Sequence, residues 1–153
     1  MSAPEHRPSL TPCPCYVDPK AALNWLEEAF GFEQSMVLLD AEGNLAHSEM
    51  RFGDGMIMVG QEWSDDHRSP LHTGRKNTQS VHVNLTADID GHCERARKAG
   101  AVILQEPETQ FYGDRTYRAV DPEGHIWTFS QTVEVMTSEE WDKAGGFTTK
   151  THL

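Results

Sequence analysis

The chain has 153 residues, a formal net charge of −11 and a pI near 5.0. That length allows one domain with a core, or two small modules sharing one, and the 37% apolar share lies above the disordered range. So acidic a surface repels phosphate backbones, which argues against nucleic-acid partners. No apolar run nears the length of a membrane span, and MSAPEHRPSL lacks the apolar stretch of a signal peptide. A cytoplasmic protein with no membrane contact is expected.

The first strand candidate covers residues 10–17. Within it Cys13 and Cys15 stand two apart, so on a strand both thiols point to one face. Redox and metal pairs normally have the spacing C-x-x-C. Two partly buried thiols are therefore expected, and an odd number of cysteines fits a reducing compartment. Asp18-Pro19 then opens a helix: Asp18 can cap it, Pro19 suits its first turn and Gly31 can end it, with Leu23, Leu26 and Phe30 on one stripe. Further strands follow at 33–39, 44–52 and 56–62.

The same order returns after the polar run WSDDHRSPLHTGRKNTQ. A strand at 80–87 precedes a helix capped by Asp88, with Ile89, Cys93 and Ala96 as its stripe and Gly100 as its end. Strands at 101–105, 115–120 and 125–132 complete the copy. From Asp18 to Gly55 is 37 positions, and from Asp88 to Gly124 is 36. Equal order and near-equal spacing indicate a tandem βαβββ duplication. The chain thus divides into a first module (10–62), a linker or flap (63–79), a second module (80–132) and a C-terminal extension (133–153). In that extension Thr137-Ser-Glu-Glu140 reads as a capping box before a short helix. The final residues, GGFTTKTHL, read as loose or packed on a partner chain.

Two βαβββ modules with DPEGHIW closing the second resemble the vicinal oxygen chelate superfamily of glyoxalases, bleomycin-resistance proteins and dioxygenases. LTPCPCYVDPKAALNWLEEAFGF, AHSEMRFGDGMIMVG and YGDR resemble its PhnB-like branch. The resemblance covers about residues 10–131. It implies an α+β fold in which each module curls its sheet, the pair forming a half-open β-barrel-like cavity for a ligand. It also implies a homodimer, which open sheet edges would favour. In metal-using members, four side chains from the first and last strands of the modules meet at one divalent ion. Carried over, those positions fall near Thr11 and on Val59, Thr128 and either Val81 or His82. Counting back from Asp88 gives Val81. Alternation gives His82, because Val83, Leu85 and Ala87 would pack the helix while His82, Asn84 and Thr86 face the cavity.

Val and Thr are not normal ligands for a divalent ion, and a metal site usually requires at least three protein ligands. No cofactor is therefore favoured. The alternative is one divalent ion held by His47, Glu49 and His82, since His47, Glu49 and Arg51 share a strand face; Met50 and Phe52 fit the buried face better. The leading reading is capture of a small organic molecule. Met58, Val59, Trp63, Phe111 and Tyr112 are candidate walls, and Trp63 is either a lid or an exposed contact. His82, Asn84, Arg115, Thr128 and Ser130 are the polar candidates. Arg115 either pairs with Asp114 or Asp121, or grips a ligand carboxylate or phosphonate. Trp127 and Phe129 are expected in the core, and His125 is expected to be structural. A metal-dependent lyase, isomerase or dioxygenase is the second reading, and a structural or protein-interaction module the third. No nucleophile–base set selects a reaction.

Overall fold

A computed structural model describes residues 6–153. Strand β1 (Cys15–Tyr16) leads into helix α1 (Pro19–Phe30), followed by β2 (Glu33–Leu39), β3 (Leu45–Phe52), β4 (Gly55–Met58) and β5 (Gly60–Gln61). After a 3₁₀ turn at Pro70–His72 come β6 (Val81–Leu85), α2 (Ile89–Lys98), β7 (Val102–Thr109), β8 (Asp114–Val120), β9 (Ile126–Thr132) and α3 (Ser138–Gly145). In the second half the strand order is β6-β9-β8-β7, with β6 parallel to β9. In the first half β1 runs parallel to β5, and β4 continues into β3 and β2. The duplication read from the sequence is therefore present as two βαβββ modules of one topology. No helix among the described residues is long and apolar enough to cross a membrane.

Local chemistry sets the element ends. Asp18 accepts a hydrogen bond from the Ala21 N–H, and Gly31 closes α1 in the left-handed region at φ 80°. Asp88 caps α2 through the Gly91 N–H; a Cβ at Gly91 would come within 2.2 Å of that carboxylate. Thr137 caps α3 as the capping box predicts. The first strand is much shorter than the expected 10–17. Pro12 and Pro14 have no N–H to donate, so that segment only accepts: Met58 N–H bonds to Pro12 O and Gly60 N–H to Pro14 O. The irregularity also separates the two thiols, leaving Cys13 exposed and Cys15 buried. The expected strand 56–62 is interrupted at Val59, and β7 runs four residues beyond its expected end at 105.

One hydrophobic core joins the modules. Leu26 and Phe30 of α1 lie with Met50, Ile57 and Val59 of the first sheet, Ile89, Cys93 and Ala96 of α2, and Tyr117, Trp127 and Phe129 of the second sheet. Phe30 contacts both Trp127 and Phe129, with ring centroids 5.6 and 4.7 Å apart. Trp127 and Phe129 are fully buried, as their alternation with Thr128 and Ser130 predicts. Each such aromatic contributes roughly 1.5–3 kcal/mol by burial.

The Asp-Pro-Glu-Gly turn fastens one module to the other. Asp121, buried, accepts from the Tyr16 hydroxyl (2.6 Å), from Trp127 Nε1 (3.2 Å) and from the N–H groups of residues 123–125. The Glu123 carboxylate accepts from the N–H groups of Val17 and Asp18 and from Ser69 Oγ. His125 donates from Nε2 to Cys15 O at 2.7 Å, the structural role expected of it. The segment 63–79 is also tied to this turn, because Asn77 bonds Gly124 O and the Ile126 N–H. Glu62 adds bonds to Arg68, His72 and the Ser69 N–H.

Candidate functional site

Each sheet packs one face on the core, and among the described residues no helix covers the other. On β6 that alternation sends Val83 inward and leaves His82 and Asn84 exposed. In register, His82 lies beside Thr128 and Asn84 beside Ser130 on β9, and Thr128 and Ser130 face Arg118 and Thr116 on β8. Four of the sequence-predicted residues thus share one helix-free face. The Ser130 hydroxyl donates to Asn84 Oδ1 at 2.9 Å, so it accepts from His82 Nε2–H, also at 2.9 Å. The imidazole therefore carries an N–H at Nε2. Arg118 Nε donates to Thr128 Oγ1 at 3.2 Å, while Gln105 and Gln110 both donate to Thr116 Oγ1. The result is a row of oriented amide, hydroxyl, imidazole and guanidinium groups.

Three other predicted residues lie elsewhere. Arg115 is on the opposite face of β8, with Tyr117 and Ala119, and its partner is Asp90 in the first turn of α2 (2.9 Å), not Asp114 or Asp121. Strand alternation is the reason: residues 116 and 118 are on the helix-free side, so Arg118 holds the place given to Arg115. The apolar residues Tyr117 and Ala119, alternating with Thr116 and Arg118, were the sequence signal for that parity. Trp63 is 73% exposed and stacks on His67. Tyr112 sits at the β7–β8 turn against Phe111, and Phe111 stacks on Phe147. These rings and Trp141 wall a groove of about 630 Å³ between that turn and the C-terminal extension. The extension itself is held by Trp141 Nε1 donating to Thr149 Oγ1 and by Asp142 accepting from the Thr149 N–H.

The first module shows a register that the sequence reading missed. Val59 lies in the core, so it is neither a wall nor a ligand position. The residue facing Glu49 across β3 and β4 is Met58, just as Thr128 faces Arg118 in the second module. The difference arises in the turns: residues 53–54 join β3 to β4, whereas 121–125 join β8 to β9. Aligning the two copies on their turn glycines therefore shifts the strand by one residue. Glu49 and Arg118 then occupy equivalent places with opposite charges.

Glu49 is buried although its strand face carries no helix. Arg7 grips it in a bidentate fork (3.2 and 2.9 Å), and His47 Nε2 lies 3.0 Å from the same carboxylate. Arg7 first and His47 second hold its carboxyl down at about 2. His82 is engaged by Ser130 instead. Among the described residues no group of three or more His, Cys, Asp or Glu side chains could hold a metal ion. The helix-free face of the second module offers one imidazole beside a guanidinium, and a fixed cation opposes a second one. These donors do not fit a divalent ion within one chain.

The family model described as "Glyoxalase/Bleomycin resistance protein/Dioxygenase superfamily" matches residues 15–129. The uncharacterized protein Mb0911c of Mycobacterium bovis is 28% identical over 137 residues, covering 87% of this chain and 89% of that protein. Among solved structures, TioX from Micromonospora sp. ML1 is 28% identical with a TM-score of 0.65, covering 84% of this chain and 99% of TioX. TnmS3, an antibiotic binding protein from Streptomyces sp. CB03234, has a TM-score of 0.59 at 18% identity, covering 86% of this chain and 98% of TnmS3.

Proposed function

The chain belongs to the glyoxalase/bleomycin resistance protein/dioxygenase superfamily, and from that premise we propose that it captures and sequesters a small organic molecule without covalent chemistry. The observation that carries this reading is the row of groups on the helix-free face of the second module. His82 and Asn84 are held by the buried Ser130 hydroxyl, and Arg118 is held by Thr128. Few but well-placed polar groups against apolar walls are what a ligand cavity needs. The likeness of fold to an antibiotic binding protein agrees with this role.

Two copies of the chain would close the cavity. Met36, Leu38 and Leu39 on β2, and Val102 and Leu104 on β7, expose apolar surface along the outer strand of each sheet. Such edges invite pairing unless covered. On the motifs YGDR and DPEGHIW we place the chain in the PhnB-like branch, and its free thiols suit the cytoplasm.

The test is a thermal-shift screen of planar aromatic and antibiotic-like compounds, followed by titration calorimetry of the hits. His82→Ala and Arg118→Ala should each weaken binding roughly tenfold, since a hydrogen bond to a charged group is worth about 1.5 kcal/mol. Hits indifferent to both substitutions would refute the site. A divalent ion retained through purification and lost in His82→Ala would instead favour a lyase, isomerase or dioxygenase.

A further inference from the structure

The first module's helix-free face has a charged group that the arrangement so far does not use. Strand alternation alone would leave Glu49 open to the ligand side, opposite Met58. It is buried because the segment before β1 crosses it, with Arg7 forked onto both carboxylate oxygens. The same segment is fastened by Arg51 donating to His6 O at 2.9 Å. Arg7 keeps 52% of its side chain exposed while Glu49 keeps 5%. The carboxylate belongs to a strand of the sheet, whereas the guanidinium comes from a segment whose described residues, 6–14, form no helix or strand.

The surroundings suit an apolar body attached to that cation. Met36 pairs with Glu49, and Leu38 with His47, across β2 and β3, and both are over 40% exposed. Met58 lies on the other flank, 3.9 Å from Cys13 Sγ through its own sulfur. Methionine sulfur and flexible apolar chains adapt to flat or irregular ligands. A buried carboxylate between thioether and aliphatic walls recognises an apolar organic cation whose head can form two parallel N–H···O bonds.

We propose that Arg7 is an internal stand-in for the ligand, and that the Glu49 site takes an amidinium- or guanidinium-bearing aromatic molecule in its place. This rests on the capture reading above and specifies the ligand's charge. Arg7 and the ligand compete for one carboxylate, so apparent affinity is divided by the fraction of molecules in which the latch is open. His47, at 3.0 Å, helps fix the carboxylate for either occupant.

The experiment titrates benzamidine, and benzamide as its uncharged isostere, into the full chain by calorimetry. The variants are Arg7→Ala, Arg7→Gln, Glu49→Gln, the double Arg7→Ala/Glu49→Gln and His82→Ala. Arg7→Ala should bind benzamidine at least about tenfold tighter than the parent, as for a latch closed nine-tenths of the time. Benzamide should gain nothing, and the double variant should lose the gain. Arg7→Gln retains most of the packing stem, so it should reproduce the gain if Arg7→Ala fails to fold. An unchanged benzamidine affinity in a folded Arg7 variant overturns the proposal, as does a gain that survives Glu49→Gln. His82→Ala separates the two readings. A screen hit that depends on His82, with no benzamidine gain on loss of Arg7, sinks only the cation site. A Glu49-dependent benzamidine gain without any His82-dependent hit sinks only the second-module site.

Discussion

Asp121→Asn tests whether the buried turn carboxylate holds the two modules together. Oδ1 accepts three backbone N–H groups at 3.0 Å, so the amide oxygen of asparagine must stay there. Its NH₂ then confronts the Tyr16 hydroxyl and Trp127 Nε1, which Oδ2 now serves at 2.6 and 3.2 Å. The hydroxyl can rotate and accept, but the indole N–H only donates and is left unpaired in the core. One buried unsatisfied donor costs about 1–3 kcal/mol, and the lost charge-assisted bond adds about 1 kcal/mol. The expected destabilisation is therefore about 2–4 kcal/mol. At roughly 2–4 °C per kcal/mol for a chain of this size, Tm should fall by about 4–16 °C. Calorimetric melting gives the shift, and urea unfolding gives the free energy. Tyr16→Phe breaks the same contact from the other side, so the double variant should cost less than the sum of the singles. A Tm shift below about 2 °C, or strict additivity, would refute the clasp.

His92 makes a second test. Its Nε2 must donate to Phe30 O at 2.8 Å, so Nδ1 accepts from the Tyr117 hydroxyl; burial lowers its pKa, with Arg95 adding to the effect. The unfolded chain then takes the proton first. Stability should be full above the ordinary histidine value of about 6.5 and should decline as pH falls below it, less so in His92→Gln; identical slopes between pH 7 and 5.5 would count against this. Gly113→Ala should cost about 2 kcal/mol or more, because φ is 95° and a Cβ would stand 2.1 Å from Glu134 O. Faster proteolysis of the C-terminal extension and a lower Tm would register it. Arg115→Ala should change stability by less than about 1 kcal/mol, since its partner Asp90 is 64% exposed, and should leave binding of screen hits intact. Weakened binding there would return Arg115 to the site.

How far the sequence could be read depended on how local the cause was. Asp18, Asp88 and Thr137 cap their helices through bonds to residues three positions on, so those starts were legible as text. Alternation placed Trp127 and Phe129 in the core and His82 and Asn84 outside it for the same reason. Register across turns was not legible. Arg115 and Arg118 differ by one parity step, and only pairing with β9 shows which joins Thr128. Val59 failed likewise, because two turns of different length feed strands that look alike.

The sequence by itself determined the duplicated βαβββ order, the helix boundaries and the inward-facing aromatic residues, all of which follow from contacts a few positions apart and from period-two burial. Only the tertiary structure decided three long-range pairings: Asp121 with Tyr16 across 105 positions, Arg115 with Asp90, and Arg7 with Glu49 across 42. A carboxylate in a sequence has many basic or donor residues within reach of a folded chain. Packing of α1 and α2 into one core selects which of them arrives, and no periodicity encodes that choice.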